Sequence, residues 1–370
     1  MIPPGEAPGL VLHDVSVRFG TRVGLVGVSL AVGRGERVVL LGPSGEGKTT
    51  LLRAIAGLDE LVAGHVRVGG RDVSRDLPES RGVVYLHQRP SMFPHLSVVD
   101  NVGFPMEVRG IPRLQARERA MVLLERVQLA PLATRSALAL SGGQQHRVAI
   151  ARALAADPVA LLLDEPFNAL DPALRADVRD SVVESLGVAG GPSVLMVTHD
   201  VDEAAALGDR IAVLLGGRIV QDAPPAVTLS RPATHAVARF LGVPNCVAGT
   251  SDGRGTFTCA LGQFACDLPA GRAMLVARAD AMRAASAIGV ADDRNDASPA
   301  SQITATVEAL QHRVGGTTLR VRLENAGSGD PLPLTVVAGI GALPTPGDVV
   351  SLDILRDRVH VVAADPASHV

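Results

Sequence analysis

GPSGEGKTT, residues 42–50, contains the only lysine in a chain of 370 residues. Lysine and arginine together number 35, so the other 34 basic side chains are all arginine. From Gly42 to Thr49 the stretch fits G-x-x-x-x-G-K-[ST], a phosphate-binding P-loop. An arginine is a wide planar fork, whereas a lysine is a compact charge on a slim stem. Only the slim group fits inside a loop that wraps a phosphate chain and still reaches its outer oxygens. Gly42, Gly45 and Gly47 let backbone N–H groups turn toward the phosphates, with Pro43, Ser44 and Glu46 between them. The helix beginning at Lys48, with Thr49 and Thr50, adds its positive end. Thr49 would offer its hydroxyl to Mg2+. Glu46, beside an anion, is tolerable if its side chain turns to solvent and its N–H inward.

The flanks fit that reading. RVVLL at 37–41 is a buried strand, and Lys48 to Gly57 a helix with Leu51, Leu52 and Ile55 facing inward. From 10 to 235, short apolar runs alternate with helical patterns, as in an α/β domain with a largely parallel sheet. Residues 159–163, 194–198 and 211–215 are further buried strands, and LQARERAMVLLERVQLA (114–130) is an amphipathic helix. Near Phe240 the character changes. TFTCALG, AMLVARAD, ITATVEAL, TTLRVRLE, LPLTVVAG and DVVSLDIL, separated by Gly- and Pro-containing joints, suggest a small all-β barrel or sandwich. Residues 283–301 (RAASAIGVADDRNDASPAS) are expected to be a long loop.

Bulk composition narrows the function. Hydrophobic residues make up 47% of the chain but aromatics only 2%, so the cores must be built from Val, Leu, Ile and Ala. The net charge of -3 argues against a nucleic-acid surface, which needs a concentrated basic face. No apolar run approaches the ~20 residues of a membrane span, and MIPPGEAPG lacks the pattern of a secretory signal. Cys246, Cys259 and Cys266 have neither CxxC spacing nor an even count and are expected to be buried small hydrophobes, with a redox sensor or metal site as the alternative. The chain reads as cytosolic.

Two further stretches carry chemistry. VALLLDEP is an apolar strand that delivers Asp164 and Glu165 at its C-terminal end, where acids can hold a metal near a P-loop. Asp164 would position Mg2+, and Glu165 would polarise the attacking water as a general base. LSGGQQHRVAIARAL (140–154) is a helix capped by Ser141.

LSGGQ, with Ser141 lying 23 residues before Asp164 and after a P-loop, resembles the signature of ATP-binding-cassette (ABC) ATPases. The resemblance spans roughly residues 10–240. It implies an α/β P-loop NTPase, residues 8–240, with a helical subdomain at about 89–156, and it implies ATP and Mg2+. Other positions fall on the family pattern. Phe19, in VRFG, stands where an aromatic stacks on adenine, usually tyrosine. Gln88 matches the glutamine that touches Mg2+. NALD, from Asn168 to Asp171, resembles the loop that meets the opposite subunit. His199, in VTHD, matches the histidine that contacts the γ-phosphate. Ser141, Gly142, Gly143 and Gln144 would close over ATP held by a second copy, so the resemblance implies a head-to-tail homodimer.

The tail resembles the OB-like (TOBE) regulatory domain of importer ATPases, residues 241–370. RPATHAVARFLGVPN matches the junction, and LVARADAM looks like a degraded Arg-Pro-Glu motif in which Arg278 remains while Ala279 and Asp280 replace Pro-Glu. The implied protein is the ATPase of a binding-protein-dependent importer. It would sit peripherally on the cytoplasmic face of the membrane, driving two integral-membrane permease subunits and serving, indirectly, a solute-binding protein. Residues 89–104, rich in Phe, Pro and Met, would grip the permease or else form subdomain core. FPHLSV and DEPFNALD lean toward relatives serving inorganic ions, iron, polyamines or thiamine rather than sugars. A soluble cassette ATPase and an effector-sensing regulator are the alternatives.

Overall fold

Strands that are apolar on both faces must be covered on both sides, and such strands build the centre of the sheet on which the first unit rests. In the computed structural model, residues 8–19, 22–89, 91–168, 186, 191–285, 303–313, 316–323, 332–338 and 343–364 are described. The chain divides into two compact units, Met1–Ala226 and Val227–Val370.

The strands of the first unit are β1 (Leu10–Phe19), β2 (Arg22–Val32), β3 (Arg37–Leu41), β4 (Leu61–Val68), β5 (Arg71–Asp72), β6 (Val83–Leu86), β7 (Ala160–Asp164), β8 (Ser193–Thr198), β9 (Arg210–Leu215) and β10 (Arg218–Ala223). The main sheet has the order β10-β9-β3-β8-β7-β6. From β9 to β6 its neighbours are parallel, and β10 is an antiparallel edge. β7 and β8 are buried at every residue, as a sheet covered on both faces requires. A second, antiparallel sheet, β2-β1-β4-β5, stands beside this largely parallel one and was not foreseen. The P-loop helix α1 (Lys48–Ala56) shares one core with both sheets through Leu51, Leu52 and Ile55. Each such leucine or isoleucine contributes about 2 kcal/mol by its burial.

Three helices form a separate cluster: α2 (Val98–Val108), α3 (Arg113–Arg126) and α4 (Gly142–Ala155). Val98, Val102, Ala116, Ala120, Leu124 and Val148 are central to its core. α3 stops short of the expected residue 130 because Gln128 adopts a left-handed φ of 58°, which no helix can continue. No helix among the described residues is long and apolar enough to cross a membrane.

The second unit is β-rich. Strands Met282–Ala285, Leu332–Ala338, Gly316–Leu323, Ile303–Arg313 and Val349–Ile354 close into a barrel. Beside them, Gly262–Ala265, Thr256–Cys259, Asn245–Ser251, Gly271–Ala277 and Val359–Ala363 form a five-stranded sheet. Asn245, buried, clips sheet to barrel. Its Nδ2 donates to the Thr335 carbonyl at 2.7 Å, and its Oδ1 accepts from the Thr335 N–H at 2.7 Å. The loop expected from residue 283 is corrected at its start: Met282–Ala285 pairs with strands on both sides and completes the barrel closure. Residues 286–301 lie outside the described residues. All three cysteines are free. Only Cys266 is fully buried, while Cys246 and Cys259 are half-buried, short of the burial expected of them.

Candidate functional site

The site grows from the C-terminal ends of four parallel strands, where open α/β sheets leave a crevice. The P-loop leaves β3, Gln88 follows β6, Asp164 ends β7 with Glu165 next, and His199 follows β8. Segments far apart in sequence therefore converge because the strands are neighbours in the sheet.

The loop has its shape for steric reasons. Gly47 adopts a left-handed φ of 87° just before α1, where a side chain would be strained. At Gly42 a Cβ would sit 2.5 Å from the Leu214 carbonyl oxygen, so β9 leaves room for glycine alone. Lys48 is only 4% exposed. Its Nζ donates to the carbonyls of Gly42 and Pro43, each at 2.7 Å, leaving a third N–H free in geometry. Burial lowers the ammonium pKa, while the charges of Glu165, Glu46 and Asp164 oppose that shift. The expectation that Glu46 turns to solvent needs correction. Its Oε2 accepts the Gly217 N–H at 3.0 Å, tying the P-loop to the β9–β10 turn and taking the carboxylate away from the loop's amides. Ser44 and Gly45 are exposed, Pro43 and Thr50 partly so.

Asp164, 3% exposed, is held at both oxygens. Oδ1 accepts from the Thr49 hydroxyl at 2.9 Å, and Oδ2 from the Tyr85 hydroxyl at 2.8 Å. Burial, then the hydrogen bond and charge of Asp164, raise the Tyr85 phenol well above its ordinary pKa, so it stays a donor. A buried carboxylate, a hydroxyl and the Gln88 amide form an oxygen donor set that suits Mg2+, which takes one or two carboxylates and completes its shell with phosphate oxygens and water. Among the described residues no group of three or more His, Cys, Asp or Glu could hold a metal without such help.

Glu165 is the node of the arrangement. Its Oε2 accepts from Asn168 Nδ2 at 2.7 Å and from Gln88 Nε2 at 3.5 Å, and its Oε1 lies 3.1 Å from His199 Nδ1. A carboxylate only accepts, so His199 carries its proton on Nδ1. The Glu165 backbone has φ 43°, unusual for a non-glycine residue, and its N–H donates to the Val197 carbonyl of β8 at 3.0 Å. His199 itself is held between Thr198, whose hydroxyl donates to Glu203 at 2.8 Å, and Asp200, which caps helix α5 (Val201–Leu207).

At α4 the Ser141 hydroxyl accepts from the Gln144 N–H, and the Gln144 side chain accepts from the Ser141 N–H at 3.0 Å, a complete capping box. Ser141 and Gly142 are exposed, Gly143 buried. One turn on, His146 is 2% exposed, with its Nε2 3.1 Å from the Gln88 carbonyl and its Nδ1 without a partner. Burial pushes its pKa down to about 4. Phe93 and Phe104 pack with ring centroids 4.5 Å apart under the Arg152 guanidinium, so the 89–104 stretch is partly core, while Phe104 remains 38% exposed.

Thus Lys48, Thr49, Gln88, Asp164, Glu165 and His199 are brought together. Phe19 ends β1, but its side chain lies outside the described residues, as does Asp171. In the second unit Arg278 makes a surface ion pair with Asp280 at 3.7 Å. Sequence reasoning missed Tyr85, His146 and the bond from Asn168 to Glu165. The chain's single tyrosine, three residues before Gln88, was a usable signal.

Comparison with known proteins agrees with this geometry. The family model for the ABC transporter domain matches residues 25–168. The molybdate/tungstate import ATP-binding protein of Thermococcus kodakarensis is 43% identical over 230 residues, covering 61% of this chain and 68% of that protein. An sn-glycerol-3-phosphate import ATP-binding protein of Rhizobium johnstonii is 34% identical over 363 residues, covering 96% and 94%, and so extends through the β-rich unit. The crystal structure of an ATP-binding cassette of an ABC transporter, in its ADP conformation, superposes with a TM-score of 0.55 at 28% identity, covering 63% of this chain and 98% of that one.

Proposed function

The chain belongs to the ABC transporter ATPases, among their import ATP-binding proteins, and from that premise we propose that it powers solute uptake through separate permease subunits. It is an ATPase with a P-loop cassette and a C-terminal TOBE-like β domain. In the proposed division of labour, residues 8–240 form the motor and 241–370 regulate it. The observation that carries the catalytic assignment is the convergence on Glu165 of Gln88, Asn168 and His199, beside a buried P-loop lysine.

In this reading the loop amides from Gly42 to Thr50 and the third Nζ proton of Lys48 bind the β- and γ-phosphates. Thr49, Asp164 and Gln88 would hold Mg2+, which when bound neutralises phosphate charge. Phe19 supplies the stacking face for adenine. Glu165 keeps acceptor sites beyond those used by Asn168 and His199, since a carboxylate has about four. One of them takes the proton of the attacking water. Nδ1 of His199 pairs with Glu165, which leaves the Nε2 edge of the ring to face the γ-phosphate.

Ser141, Gly142, Gly143 and Gln144 complete the γ-phosphate pocket of a second copy, so two copies pack head to tail around two ATP molecules, with Asp171 at the seam. Hydrolysis then removes what holds the seam shut, and the motion passes through the 89–104 surface to two permeases on the cytoplasmic face of the membrane, fed by a solute-binding protein. The solute class we favour is an inorganic ion, iron or a polyamine. The test is ATP turnover against protein concentration. Activity per chain should rise with concentration, and Ser141→Arg should abolish the closed dimer while leaving ATP binding intact. Full turnover by a demonstrated monomer refutes the shared site. Loss of the Ser141 cap costs about 1 kcal/mol on its own, so Ser141→Ala serves as the control.

A further inference from the structure

Asp164 is held from two directions, and only one of them, Thr49, belongs to the P-loop. The other is Tyr85, on β6, the strand whose register sets Tyr85 opposite Leu162 of β7. Its ring packs against the core shared by α1 and both sheets and lies edge-on to His87, with centroids 6.0 Å apart. A ring fixed by packing has little freedom in where it aims its hydroxyl, which meets Oδ2 of Asp164 at 2.8 Å. The Thr49 hydroxyl has a second task, since its oxygen also belongs to the cation's donor set. Tyr85 has no such duty, as its oxygen faces the carboxylate from the β6 side.

We infer that Tyr85 is a positioning residue for the divalent cation, fixing the rotation of the Asp164 carboxylate so that its remaining acceptor sites face the phosphate pocket. The inference rests on the reading of Asp164 as the residue that holds Mg2+. Partners that orient a metal-holding carboxylate typically alter metal affinity 10–100-fold when removed. Tyr85→Phe deletes one oxygen and keeps the packing. It should therefore weaken Mg2+ binding to the ATP-loaded protein by about tenfold, with affinity for ATP in the absence of metal unchanged.

The chain supplies its own reporter. It has one tyrosine and no tryptophan, so intrinsic emission comes from Tyr85 alone. A tyrosine hydrogen-bonded to a carboxylate is sensitive to that carboxylate's charge, so wild-type emission should change as MgCl2 is added in the presence of a non-hydrolysable ATP analogue. The variants Tyr85→Phe and Asp164→Asn are compared with wild type by Mn2+ electron paramagnetic resonance and calorimetry with MgCl2, after thermal melting establishes that each is folded. Weaker metal binding in both variants, with a metal-dependent wild-type signal, supports the inference. Weaker binding in Asp164→Asn but not in Tyr85→Phe overturns it while leaving the metal assignment standing. Unchanged binding in Asp164→Asn removes the assignment itself. If Tyr85→Phe does not fold, wild-type emission indifferent to saturating MgCl2 still overturns the inference.

Discussion

Replacing Glu165 by Gln isolates its charge from its shape. The side chain now accepts at Oε2 from Asn168 at 2.7 Å and faces His199 Nδ1 from Oε1 at 3.1 Å. A glutamine can keep both contacts: its carbonyl turned to Asn168 and its amide N–H turned to His199, which then carries its proton on Nε2 instead. Packing and fold are preserved, so the melting temperature should move by no more than a few degrees. What disappears is the acceptor for the water's proton, worth 10²–10⁴-fold in turnover, or about 3–5 kcal/mol of barrier. The site also loses one of the charges that support the buried Lys48 ammonium, so ATP, which brings its own negative charge, should bind at least as well as before. The assay is phosphate release under saturating ATP beside a direct nucleotide-binding measurement. A kcat within threefold of wild type would refute the role of Glu165, and lost ATP binding would refute the claim that only the chemical step is touched.

Lys48→Arg should weaken nucleotide binding at least tenfold despite keeping the charge, because the guanidinium cannot occupy a 4%-exposed slot between two carbonyls at 2.7 Å. Equilibrium binding of ATP checks it, and unchanged affinity would mean that the slot tolerates the fork. The second perturbation is of pH. The folded-state pKa of His146, about 4, lies below the ordinary value near 6.5, so the unfolded chain binds the extra proton first as pH falls. Stability from this residue is complete above pH ~6.5 and is lost as pH drops toward about 4, amounting to a few kcal/mol at most. His146→Gln should flatten the denaturation midpoint across that window, and an unaltered profile would place the acid sensitivity elsewhere.

The P-loop and the acid-tipped strand were readable because their causes are local. Glycines at required backbone angles, a run of buried residues and a serine cap all announce themselves within a few positions. The antiparallel sheet was not, since β1 pairs with both β2 and β4 through register shifts that break simple alternation. The same limit applies to partners. That Glu46 finds the Gly217 N–H, 171 residues away, is a consequence of tertiary packing rather than of pattern. Tyr85 is the instructive case. Neither its place on a strand nor its donor role was read from the sequence; the donor role appears only once β6 lies beside β7.

The left-handed backbone at Glu165 sets stability and turnover against each other at a single codon. Holding a side chain there at φ 43° costs roughly 1 kcal/mol relative to glycine. Glycine there would relieve that strain but give up the acceptor for Asn168 and His199, and would leave the protein inert. Libraries built to harden this protein should therefore keep that position fixed, since a thermometer does not register the turnover it carries.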